Sequence, residues 1–302
     1  MKELGNLLIT FTCKMIAFII MILPDRWRPK VGAGLGKLLL KTVKSYSETA
    51  REGMELVLKD EYTPEEIERL IEANFRHMGL VIVEFMLSRK INQKNFRQFV
   101  GLTVEGEEFI QKAYSRGKGI ILYAAHLGNW EWLGGMVAFL GYPLTAIVQR
   151  QHNKSFDRWI NNLRRSKGVR ILYTRKMSQR DAYLALKNNE CLFLLGDQYP
   201  VSNGWPVTFF NQPTYAFSGA IRFAERTGAS IVPAFLVREG WRKHRLVFFK
   251  PYQVEKGLEQ AEREKILQEL TDQVEMMIRK YPEQWLWIHK RWRDETGKEK
   301  AC

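Results

Sequence analysis

Two kinds of hydrophobic spacing divide the chain. Residues 7–23 are almost entirely apolar, interrupted by Lys14 and ended by Pro24-Asp25-Arg26-Trp27-Arg28. Further on, Ile67, Leu70, Ile71, Phe75, Met78, Val81, Ile82 and Phe85 recur at helical period. Thr63-Pro64-Glu65-Glu66 opens that stripe as a helix start, with a threonine cap, proline at the first helical position and glutamate at the third. From about residue 99 the pattern changes to short uninterrupted apolar runs, 120–125, 144–148, 191–195 and 230–237, separated by amphipathic stretches. Runs of that length without charge read as strands buried on both faces of a parallel sheet.

The alternation predicts strands at 100–104, 120–125, 144–148, 170–173, 191–195, 230–237 and 245–249. Helices are expected at 107–116, 131–140, 155–167, 178–187, 216–227 and 257–280, and 31–59 also reads as helical. Residues 196–215 read as a long loop, and Pro233 suggests an edge, a bulge or a strand end. The expected fold class is α/β: a mainly parallel or mixed sheet flanked by helices, with an N-terminal membrane-associated helix and helical additions. The expected divisions are an anchor at 1–24, a helical region at 25–98 and an α/β region at 99–302, with 25–302 forming one compact unit.

The first apolar run is somewhat short of the ~20 residues of a comfortable membrane span. No small-residue cleavage site comes after it. Trp27 and the cations Arg26, Arg28, Lys30, Lys37, Lys41 and Lys44 suit a membrane interface and favour a cytoplasmic location for the rest of the chain. The run is expected to be an uncleaved anchor, spanning or lying in the interface; the alternative is an ordinary buried helix. A formal net charge of +14 calls for an anionic partner: nucleic acid, a phospholipid surface, or a phosphorylated or acidic substrate carrier. Zinc-ligand spacing, RNP-type aromatics and a recognition-helix pattern are missing, which disfavours nucleic acid. Cys13, Cys191 and Cys302 are widely separated and fit a reducing compartment. His152 and His289 lack companions at metal-ligand spacing, so no metal is expected.

The candidate chemistry begins where the run 120–125 stops, at H-L-G-N-W-E, residues 126–131. His126 would sit at a strand's carboxyl end, where open α/β sheets place their ligand sites. Gly128 and Asn129 supply a turn and a cap for the helix that Glu131 enters. Residues five apart on one helix point about 140° away from each other, so His126 and Glu131 meet only if the histidine lies in the loop before it. An imidazole held by a carboxylate is a base suited to activating a hydroxyl. Neither serine nor cysteine neighbours His126 and Tyr123 is expected in packing, so the hydroxyl would belong to the substrate. The alternative is a structural histidine capping backbone groups. A second apolar strand ends in G-D-Q at Asp197, either orienting nearby groups or capping the next turn. Arg76 and His77 read as a solvated helix face. Trp285, Trp287 and Trp292, interleaved with His289, Lys290, Arg291 and Arg293, fit either an interfacial belt or packing of the last helix on the core.

H-L-G-N-W-E, the downstream G-D-Q with G-x-x-V-x-F-F and P-T, A-x-x-T-G-A-x-I-V-P-A, and the terminal P-E-Q-W-L-W-I-H-K-R-W together resemble the lipid A biosynthesis late acyltransferases. These form the bacterial branch of the glycerolipid acyltransferase superfamily, and the resemblance covers most of the chain in order. It implies transfer of a fatty acyl group from a thioester, acyl carrier protein or CoA, to a hydroxyl of an anionic glycolipid such as a lipid A precursor. The setting it implies is the cytoplasmic face of the inner membrane among phospholipids, with no cofactor. By resemblance His126 and Glu131 are the catalytic dyad, and Asn129, Arg164 or Arg165 in I-N-N-L-R-R-S-K-G, and Asp197 hold substrate. Glu131 would fix the imidazole's tautomer, and the oxyanion donors would be N–H groups after Gly128 or Arg164. The arginines would equally suit a phosphate. G-D-Q stands where glycerol-phosphate acyltransferases carry an F-P-E-G-T-R-type motif, which favours the glycolipid branch; the alternative is another membrane acceptor, a lysophospholipid or a phosphatidylinositol mannoside. Rival readings are a non-catalytic membrane-surface lipid-binding protein and a soluble thioester hydrolase.

Overall fold

The computed structural model describes residues 2–174, 176–200 and 204–292; Arg293 and Cys302 lie outside the described residues. The apolar run forms helix α1 (Lys2–Ile22). Thr10, Ala17 and Ile20 are buried and Cys13 half-buried, a single stripe of helical spacing, whereas Leu4, Leu7, Leu8, Phe11, Phe18 and Ile19 are exposed. By length and composition, residues 3–22 suffice to cross a membrane. Arg28 closes the helix by donating from Nε to the carbonyl of Ile20 and from Nη2 to that of Met21, both at 3.0 Å. Lys90 Nζ adds a bond to Met21 at 2.6 Å, placing two cations at the negative end of the helix.

Helices α2 (Arg28–Thr42), α3 (Lys44–Leu58), α4 (Pro64–Met86) and α5 (Phe96–Val100) come next. The capping box at Thr63 forms as its sequence implies, with Thr63 N donating to Glu66 Oε2 at 2.8 Å and Thr63 Oγ1 accepting from Glu66 N at 3.3 Å. Helix α2 crosses α4 with backbones touching: a Cβ on Gly36 would overlap the carbonyl oxygen of Phe75, and one on Gly79 that of Gly32. This close crossing lays the first helices on the α/β region.

The rest alternates as β1 (Leu102–Glu105), α6 (Glu107–Tyr114), β2 (Ile120–Ala124), α7 (Trp130–Phe139), β3 (Leu144–Val148), α8 (Lys154–Arg165), β4 (Val169–Tyr173), α9 (Lys176–Lys187) and β5 (Cys191–Leu195). Then come β6 (Gly204–Phe209), β7 (Gln212–Phe217), α10 (Gly219–Thr227), β8 (Ser230–Gly240), β9 (Lys243–Phe248) and α11 (Gln260–Lys280). The main sheet among the described residues runs β1-β9-β8-β2-β5-β3-β4, with every neighbour parallel except the β8/β9 hairpin. Strand β2 is buried throughout; Ile121 and Tyr123 enter one core while Ile120, Leu122 and Ala124 enter the other. Helix α1 docks its stripe on α8 and the end of α4, through Trp159, Ile160, Leu163 and Phe85.

Three expectations need correction. Residues 96–100 are helical, and Gly101 at φ 57° ends that turn, so β1 starts later than expected. Residues 196–215 are not one loop: β6 and β7 form an antiparallel hairpin whose turn puts Phe210 and Asn211 in the left-handed region without a glycine to signal it. Pro233 is not at an edge. It sits in an interior strand where the β2 pairing of β8 ends, opposite Tyr123, and the β9 pairing begins at Ala234, so its missing N–H falls at the handover.

The helix crossing yields a paired test. Gly36→Ala should lower stability by about 1–3 kcal/mol through overpacking. Gly34→Ala, whose Cβ meets open space, should raise it by about 1 kcal/mol. Thermal unfolding of the detergent-solubilised protein reads both.

Candidate active site

Strands β2 and β5 pair from Ile120 with Cys191 to Ala124 with Leu195, and the same register continued for two residues sets His126 against Asp197. His126 N donates to Asp197 Oδ2 at 2.9 Å, and its Nδ1–H donates to Oδ1 at 2.9 Å. Trp285 Nε1 adds a third bond to Oδ2 at 2.8 Å. Burial alone would push the Asp197 carboxyl up; the His126 ring, the Trp285 N–H and the His126 amide outweigh it and hold it at about 2. The ring's Nε2 faces the other way, 3.5 Å from the amide nitrogen of Gln198, which also lies 2.7 Å from His289 Nε2. The His126 side chain keeps 17% exposure while that of Asp197 keeps 2%.

The turn after His126 is stitched on every side. Gly128 adopts φ 63°, and a Cβ there would overlap the carbonyl oxygen of Leu236. Gly128 N donates to Gln284 O at 3.0 Å, Asn129 N to Leu236 O at 2.8 Å, and Leu286 N to His126 O at 2.9 Å. Asn129 caps α7 by accepting from Trp132 N at 3.0 Å, and its amide donates to Glu84 Oε2 at 2.6 Å. It has no exposed surface, and its amide ties the turn to α7 and to Glu84. Glu84 of α4, also fully buried, takes both arms of the Arg238 fork, from Nη1 and, at 2.6 Å, from Nη2; His244 Nε2 lies 3.3 Å away. Burial would raise the Glu84 carboxyl, and His244 and Arg238 drive it well below the carboxylate range.

His77 corrects the reading of a solvated face. It is buried on α4, with Nε2–H donating to Gly128 O at 3.1 Å and Nδ1 accepting from Arg238 Nε at 3.3 Å. Burial and the Arg238 charge push it down to about 3, so the ring is neutral, as this donor-acceptor pattern requires.

Glu131 does not orient His126. Both of its oxygens accept from Arg164, from Nε at 2.9 Å and Nη2 at 2.6 Å, in the fork geometry that favours arginine. Burial would raise Glu131, but Arg164, Lys167 and His126 together keep it below the usual range. Arg164 also donates to Asn161 Oδ1 at 2.9 Å; Asn161 bonds the Tyr173 hydroxyl at 3.1 Å, which donates to Asp157 at 2.6 Å. Arg165 instead bonds Asn162 at the surface, so of the two arginines Arg164 is the one that reaches Glu131. Lys167 is fully buried, its stem occupying the room left by Gly135 and its Nζ donating to Leu163 O at 2.8 Å. Burial pushes Lys167 down to about 7 against the pull of Glu131.

The chain's last described segment completes the site. Trp285, Trp287 and Trp292 are buried and contact one another and Phe209 or Phe210, so of the two readings the core one holds. Arg291 is buried on Thr214 Oγ1 at 2.9 Å and Tyr215 O at 2.7 Å, and burial pushes it down to about 10 despite Asp197. Sequence reasoning missed Glu84, His77, Arg238, Lys167, Gln198 and Trp285 as site residues. A signal existed for one of them: Glu84 puts a carboxylate inside an otherwise apolar stripe. The described residues contain no group of histidine, cysteine and carboxylate side chains able to hold a metal.

A histidine is set against a carboxylate at the carboxyl edge of an α/β sheet, and similarity to known proteins gives the class of the enzyme: acyltransferase. The model of the bacterial lipid A biosynthesis acyltransferase family matches residues 4–294, and the chain belongs to that family. It is 26% identical over 269 residues to a lipid A biosynthesis palmitoleoyltransferase of Escherichia coli strain K12, covering 87% of this chain and 84% of the relative. A lipid A biosynthesis lauroyltransferase of the same organism is 23% identical over 280 residues, 92% of this chain and 89% of the relative. A phosphatidylinositol mannoside acyltransferase of Mycobacterium tuberculosis strain H37Rv is 24% identical over 210 residues, 67% and 63%.

The depressed Asp197 carboxyl sets a pH dependence. Its stabilising charge is fully present above the ordinary carboxylate value of about 4 and is lost as pH falls toward its folded value of about 2. Asp197→Asn should therefore flatten the fall of the thermal midpoint between about pH 5 and 2. A profile parallel to the parent's would count against this ionisation.

Proposed function

We propose that His126 is the general base of an acyl transfer from an acyl thioester to a hydroxyl of an anionic glycolipid, a lipid A precursor. The observation that carries it is the Asp197 carboxylate on Nδ1, which fixes the tautomer that presents Nε2 as an acceptor. In the proposed step Nε2 takes the hydroxyl proton as the oxygen bonds to the thioester carbon. The tetrahedral intermediate then expels the thiolate, which recovers a proton from the imidazolium, leaving an ester and a free thiol. Asp197 is the positioning residue for this base. Glu131 serves the site through Arg164, holding the guanidinium beside the reacting groups, where its charge suits the acceptor's phosphate.

Gly128 N and Asn129 N are already engaged, so the developing oxyanion is assigned to the N–H groups of Trp130 and Glu131, which open α7 and have no partner within the helix. The donor is acyl carrier protein or CoA. The lipid A acceptor is favoured because the relatives named for lipid A synthesis match 87% and 92% of this chain, against 67% for the phosphatidylinositol mannoside enzyme. Exposed apolar residues of α1 support a home on the inner membrane, with the site on the cytoplasmic face.

The test is acyl transfer by the purified protein from labelled acyl carrier protein, or from acyl-CoA, to a tetraacyl disaccharide precursor. His126→Ala should lower the rate by roughly 10²–10⁴-fold with the thermal midpoint kept. Undiminished transfer by that variant would overturn the proposal. Among the arginines, Arg164→Ala should raise KM or abolish transfer, while Arg165→Ala stays near the parent rate.

A further inference from the structure

A small cavity of about 230 Å³ lies between β6, α10 and the first turn of α11, lined by Trp205, Arg222, Glu225, Arg226, Gln260 and Arg263. None of these residues hydrogen-bonds with His126, Asp197, Glu131 or Arg164, so the cavity is separate from the site above. Its charge is unbalanced. Arg263 Nη2 donates to Glu225 Oε1 at 2.5 Å, which uses the one carboxylate in the lining. Arg222 is left with its guanidinium 5.5 Å from the Trp205 ring, and Arg226 with a single bond to the Tyr183 hydroxyl at 2.9 Å.

We propose that this cavity is a binding site for a phosphate monoester, gripped by the guanidinium groups of Arg222 and Arg226. Two uncompensated guanidinium charges match the charge of about −1.5 to −2 on such a group, whereas a carboxylate supplies half of that. Planar guanidinium forks fit phosphate oxygens in pairs. The cavity falls below the roughly 300–1,000 Å³ of sites that enclose drug-sized ligands, so it admits a headgroup and no acyl chain. The monoester belongs either to a membrane lipid or to a soluble ligand.

The experiment uses the full chain in zwitterionic detergent. Calorimetric titration with inorganic phosphate and pyrophosphate probes the soluble source; flotation with phosphatidylcholine vesicles, with and without phosphatidic acid, probes the lipid source. Arg222 and Arg226 are both exposed, so the double variant Arg222→Ala/Arg226→Ala should keep the parent's thermal midpoint. Its affinity for at least one probe should fall by about tenfold or more. Loss confined to the phosphatidic acid vesicles assigns the site to a lipid headgroup, and loss confined to the titrations assigns it to a soluble phosphate. The proposal is overturned if the parent binds neither probe, or if the variant binds both as tightly as the parent. No acyl donor enters these assays, so their failure is distinct from failure of the acyl-transfer reading.

Discussion

Glu84 is a carboxylate with no contact with water, and a charge in that position persists only when it is matched on all sides. The matching is what joins the molecule. Arg238 reaches it from β8, His244 from β9 and Asn129 from the turn after β2, while Glu84 itself rides on α4. Removing Arg238 would strand the buried Glu84 charge, a loss of about 3–5 kcal/mol in comparable pairs. The helical first part of the chain is thereby an internal brace for the loop that carries His126. His77, two turns earlier on the same face of α4, adds a neutral contact to the same loop through Gly128.

The site holds two carboxylates within reach of one histidine and gives them different tasks. Asp197 lies beneath the ring and takes Nδ1; Glu131 lies on the first turn of α7 and takes a guanidinium. The separation arises from where each backbone emerges. Asp197 leaves a strand adjacent to that of His126, so its carboxylate approaches in the plane of the sheet. Glu131 has already entered a helix, whose turn carries its side chain toward α8. Arg164 pairs with that second carboxylate, and Lys167, which burial pushes down to about 7, adds a partial positive charge beside it.

Much of the fold was legible in local chemistry. The capping box at Thr63, the Asn129 cap and the uncharged runs of β2, β3 and β5 announce themselves because their causes lie within a few residues. What was not legible depends on pairing between distant segments. His126 and Glu131 share one motif, so proximity in sequence suggested a partnership that strand register assigns to Asp197 instead. His77 sits on a helix whose neighbouring Arg76 is exposed, and only the arrival of the Gly128 turn makes it interior. The β6/β7 hairpin escaped notice because its turn uses phenylalanine and asparagine in a conformation normally advertised by glycine. The tryptophans of the last segment carry cations between them, a pattern shared by a membrane belt and a core strap.

The register of β2 and β5 bears on how the chain tolerates insertions. His126 and Asp197 each stand two residues past the last paired residues of adjacent strands, so the sheet register sets them opposite each other. Insertions or deletions anywhere in the α7–β3–α8–β4–α9 excursion leave that placement untouched, provided the two strands keep their pairing. The intervening segments can therefore change in length without shifting His126 relative to Asp197.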